Sequence, residues 1–166
     1  RGGVAFGSLA VIADPKAQQR LLHFVRLAGK ELQHLQLTDV RLFAVPMDAQ
    51  RVDRLAADPE LAERVDAFVA RFGRLQDTLG DKVLPAYLVA HGERLSTFVE
   101  NLDRAEKLGI VSDAQTWLDM RRLRNQMIHE YVEDPLVLAS ALNAAHRFVP
   151  TLAAVTGWFQ ARVHAD

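Results

Sequence analysis

Apolar residues recur at intervals of three and four along most of the chain, and this spacing predicts amphipathic helices. Leu21, Val25, Ala28, Leu32 and Leu35 form one stripe, and Leu61, Val65, Phe68, Phe72, Leu75 and Leu79 form a second. A third runs from Leu138 through Leu142, Ala145, Val149, Leu152 and Val155 to Phe159, with Pro150 inside it. Pro150 cannot donate to the carbonyl of His146, so a kink is expected there. Strand-like alternation occurs only around Val40 to Val45, too short to found a sheet.

Helix starts are marked by three Asp-Pro pairs, Asp14-Pro15, Asp58-Pro59 and Asp134-Pro135. Each sets a capping acceptor before a proline suited to the first turn. Ser112 and Gln115 have the spacing of a capping box, and Gly109 is a plausible stop for the helix before it. The expected helices are near 15–36, 59–79, 82–107, 112–132 and 136–163, with a short one near 48–57. Long amphipathic helices with short connections predict an all-α, up-and-down helical bundle in a single domain spanning 1–166.

Composition narrows the chemistry. The 166 residues suffice for one domain, and 49% hydrophobic with 25% charged residues is a globular composition. Twenty basic against 21 acidic residues give a net charge of −1, so nucleic acid would have to be held by a local patch rather than by bulk charge. With no cysteine, disulfides, thiolate metal sites and cysteine nucleophiles are excluded. No stretch reaches the roughly 18–20 apolar residues of a membrane span. The apolar run from Gly2 to Ala13 faintly resembles a secretory leader, but it is short and interrupted by Gly7 and Ser8. The expected compartment is the cytoplasm.

The helix from Ser112 carries the informative feature. Trp117, Met120, Arg124, Met127 and Tyr131 are spaced as a packing seam, with a cation between two methionines. Arg124 there must snorkel, find a carboxylate partner, or hold an anion. Asn125 and His129 lie four apart on a neighbouring face, with Arg121 and Arg122 a turn behind. Tyr131 is either a seam residue or a functional phenol. The histidines offer no evident metal site, His23 and His34 being eleven apart and His146 and His164 eighteen apart. Arg124 and His129, five apart, diverge by about 140° on an ideal helix. Two copies across a twofold axis would bring a cation and a base together, which favours a homodimer.

The stretch Arg124-Asn125-Gln126-Met127-Ile128-His129-Glu130-Tyr131 resembles the signature of HEPN domains, especially the HepT-like toxins paired with minimal nucleotidyltransferase antitoxins. The approach from Arg104 through Leu108-Gly109-Ile110 to Ser112 is similar to the short turn before that family's motif helix. The resemblance covers roughly residues 59–163 and implies a four-helix core, with residues 1–50 as an N-terminal extension packing on it. It also implies a metal-independent endoribonuclease without cofactor. Arg124 and His129 would be catalytic, and Asn125, Arg121 and Arg122 would support them on the RNA phosphates. The implied partners are RNA, the nucleotidyltransferase antitoxin and a second copy of the chain, with no membrane. Tyr131 would accept AMP from the antitoxin. Two other functions remain open: a non-catalytic nucleotide- or substrate-binding partner of a nucleotidyltransferase, and a helical dimerisation module. Arg124 and His129 are expected to face solvent, so that alanine at either leaves the fold intact.

Overall fold

Asp14, Asp58 and Asp134 do cap helices, accepting from the backbone amides of Lys16, Leu61 and Leu136 at 3.0, 3.1 and 3.0 Å. The computed structural model describes residues 14–129 and 134–163, and these form an all-α bundle with no strand among the described residues. Its helices are α1 (Pro15–Leu42), α2 (Ala49–Asp53), α3 (Pro59–Asp77), α4 (Leu84–Ala90), α5 (Phe98–Lys107), α6 (Ala114–His129) and α7 (Pro135–Val163). A 3-10 turn, Arg54–Ala56, follows α2. Helix α1 packs on α3 and α7, while α6 packs on α7, α3 and α5. All three predicted stripes point into one core, in which Leu35, Phe68, Phe72, Leu142 and Leu152 are fully buried.

Several boundaries differ from those expected. Helix α1 continues to Leu42 because Thr38 and Leu42 extend its buried stripe, and the Val40–Val45 alternation is not a strand. Arg71 of α3 reinforces that last stretch by donating to the carbonyl of His34 at 3.0 Å. Helix α7 spans Pro135–Val163 as one element with Pro150 inside it, as expected.

The helix expected over 82–107 does not exist as one piece. The chain stays helical from α3 to α4 through a π-helical turn, Thr78–Val83, in which the Leu84 amide donates back to Leu79. Pro85 has no amide for the carbonyl of Asp81, and the wider π register relieves that mismatch. The real break comes at Gly92, whose positive φ of 72° permits a Schellman stop with Gly92 donating to Val89 and Glu93 to Leu88. A capping box between Thr97 and Glu100 then starts α5. At Gly109, φ 77°, the same pairing ends α5, with donors Gly109 to Glu106 and Ile110 to Ala105.

Nor does the capping box at Ser112 form. Asp113 is the acceptor instead, taking the Gln115 amide at 2.9 Å, while the Gln115 side chain reaches forward to Asp119. A carboxylate two residues before that amide is a stronger, charge-assisted acceptor than the Ser112 hydroxyl.

Glu31 lies on the buried face of α1. It is 9% exposed, and burial raises its pKa above the ordinary value despite the opposing pull of Thr78, Arg74 and Lys82. A raised carboxyl favours folding below its unfolded pKa, and that contribution is lost as pH rises through the folded value. Glu31→Gln is therefore expected to raise the thermal midpoint by a few degrees at pH 7. The gain should fade below the ordinary value of 4.5, checked by thermal melts across pH.

Candidate functional site

Helix α6 presents its seam to α3 and α7. Trp117, Met120 and Met127 are buried, at 3%, 0% and 0% exposure. Arg124 occupies the seam between the methionines but does not end in the core. Its side chain crosses α3 directly over Gly73, where a Cβ would lie 2.6 Å from Arg124 Nε. Glycine leaves room for Arg124 to take that path, and it costs α3 about 1 kcal/mol of helix propensity relative to alanine. The guanidinium then donates from Nη1 to Asp77 Oδ1 at 2.8 Å. Gly73 and Asp77, one turn apart on α3, make a track along which Arg124 lies.

Of the fates open to it, Arg124 has the carboxylate partner, and its side chain is 31% exposed, against 35% for Asp77. A partly exposed pair of this kind is worth about 0.2–1 kcal/mol. Beside it lies an open groove of about 380 Å³ between α3 and α6, lined by Asp66, Val69 and Gly73 on one side and by Arg124, Met127 and Ile128 on the other. Asp66 lines this groove and Asp77 holds Arg124, so an anion drawn to Arg124 meets carboxylates among the described residues.

The other expected site residues are dispersed. Asn125 and Arg122 are exposed, and neither lines this groove. Arg121 turns toward α5 and the π turn, where its guanidinium sits 3.9 Å over the Phe98 ring and 3.7 Å from Asp81. His129 ends α6, its side chain lying outside what the structure describes, and Tyr131 falls outside the described residues altogether. The structure therefore brings Arg124 to the groove and leaves Arg121 and Arg122 out of it.

No protein family, curated protein or solved structure matches this chain. The site stands on its own residues.

Sequence reasoning missed Gly73 and Asp77. Gly73 did carry a signal, since a lone glycine inside a helical stripe, between Phe72 and Arg74, commonly marks a close packing approach. Asp77 carried none, because it is 47 residues from Arg124. Gly73→Ala is expected to push Arg124 off its track while leaving the thermal midpoint within a few degrees, because the gain in helix propensity offsets the lost pair. A high-resolution structure of the variant checks this, and an Arg124–Asp77 pair still in place would contradict it.

Proposed function

We propose that this chain is a HEPN-type toxin, a metal-independent endoribonuclease silenced by a nucleotidyltransferase antitoxin. The observation that carries the reading is the Arg124-Asn125 pair followed by His129 within the last turns of α6, with Arg124 lining an open groove. His129, with a reference pKa of about 6.5, suits proton transfer near neutral pH. In this reading the 2′-hydroxyl of RNA attacks the adjacent phosphorus, the 5′-oxygen leaves with a proton, and Arg124 balances the charge that develops on phosphate. The products are a 2′,3′-cyclic phosphate and a 5′-hydroxyl.

A homodimer completes the site in this reading, one chain supplying the cation and its partner the base. Ile128 within the motif and Leu136 after it, exposed to 52% and 71%, are suitable interface residues. Silencing in this reading is attack of the Tyr131 hydroxyl on the α-phosphorus of ATP, releasing pyrophosphate and a proton, so that the negative phosphodiester formed takes the place of RNA. With ATP, Mg²⁺ and the nucleotidyltransferase, the chain is expected to gain AMP on Tyr131 and stop cleaving RNA, while Tyr131→Phe escapes. Mass spectrometry that finds AMP on another residue, or silencing of Tyr131→Phe at the parent's rate, would count against this step.

The Asp77 ion pair favours a second reading, in which Arg124 is an interhelical clasp between α6 and α3 and has no part in chemistry. RNA cleavage by Arg124→Ala separates the two. A folded Arg124→Ala protein without activity supports the ribonuclease, whereas unchanged activity leaves Arg124 as a clasp alone.

A further inference from the structure

Arg124 offers donors from three nitrogens, and its Nη1 is committed to Asp77. Carboxylate and phosphate compete for the same planar fork. The pair is about one-third exposed on both sides, so water and solutes reach it and it opens at small cost. Gly73 leaves room for the Arg124 side chain to lie against α3, and Arg124 also lines the groove. An anion arriving along the groove meets Arg124 already oriented and already neutralised.

We propose that Asp77 is the resting counter-ion of Arg124, and that a phosphodiester of single-stranded RNA engages Arg124 by displacing the Asp77 carboxylate from it. This rests on the ribonuclease reading of Arg124 and adds a positioning residue that also sets the strength of anion binding. Asp77 holds the guanidinium in place while the groove is empty, and it lowers affinity for phosphate by competing for the same donors. Only an anion that takes up more of the fork than the carboxylate does will complete the exchange.

The test is a double-mutant cycle on the full chain. Binding of a 2′-O-methyl oligoribonucleotide, which cannot be cleaved, is followed by fluorescence anisotropy, and inorganic phosphate is titrated while the Nε–H resonance of Arg124 is followed by NMR. Asp77→Asn keeps the size of the side chain and an amide oxygen but removes the charge. It is expected to bind both probes about three- to tenfold more tightly, as loss of a competing charge at contact distance implies. That gain is expected to vanish in an Arg124→Ala background, and the exposed Asp103→Asn should not reproduce it. Asp77→Ser serves the same purpose should the asparagine variant unfold. No gain at Asp77, a gain that survives Arg124→Ala, or an equal gain from Asp103→Asn would each overturn the proposal. If the parent neither binds nor cleaves RNA, the ribonuclease reading fails. The phosphate titration then still decides the exchange at Asp77.

Discussion

Arg124→Ala is expected to reduce RNA cleavage by about 10²–10³-fold, the usual loss when one preorganised donor to a developing charge is removed. The effect on stability should be far smaller. Removing Arg124 breaks one ion pair, and Asp77, left behind with 35% of its side chain exposed, is solvated by water. The cost is then about 1 kcal/mol or less, a fall of about 2–4 °C in the thermal midpoint for a chain of this size. Cleavage assays on the folded variant, with a melt beside them, read both quantities. A large fall in midpoint with cleavage intact would make Arg124 the clasp of the second reading.

Phe68→Ala is expected to be the most damaging substitution for the fold. Phe68 is fully buried on α3, edge-on to Phe43 at 5.2 Å and beside Phe72 at 6.0 Å. Phe43 in turn stacks on His146 of α7 at 4.1 Å, and His146 pairs with Asp39 of α1 at 2.6 Å. Phe68 therefore sits where α1, α3 and α7 converge, and its truncation leaves a cavity beside the Phe43 and Phe72 rings. Such truncations cost about 3–5 kcal/mol, a large share of a stability of about 5–15 kcal/mol. The midpoint should fall by on the order of 10 °C. A loss of only a degree or two would mean that the centre of the bundle is packed differently.

Local signals were legible where the physics is local. The Asp-Pro caps, the buried stripes and the Gly109 stop depend on residues within a turn or two of each other, and they lie where the pattern puts them. The break expected between 79 and 82 is absent. Gly80 there is closely packed, since Trp117 Nε1 and Phe98 Cε2 would lie 3.0 and 3.2 Å from a Cβ, and the chain stays helical through it. The true stop at Gly92 and the box at Thr97 and Glu100 obey rules that apply equally to Ser112 and Gln115. At the candidate site, the buried seam of Trp117, Met120 and Met127 follows from spacing alone. The fate of Arg124 does not, since its partner and its passage over α3 come from a helix far away in sequence. Arg121 likewise looks like a free cation in sequence, yet it is drawn to Asp81 and the Phe98 ring.

The most direct measurement is cleavage of single-stranded RNA by the purified chain in excess chelator, with the ends of the products identified. The expected result is cleavage that persists without divalent metal, leaves 2′,3′-cyclic phosphate and 5′-hydroxyl ends, and disappears in folded His129→Ala. RNA left intact in chelator and cut when magnesium is restored, or cut equally well by His129→Ala, would contradict the account.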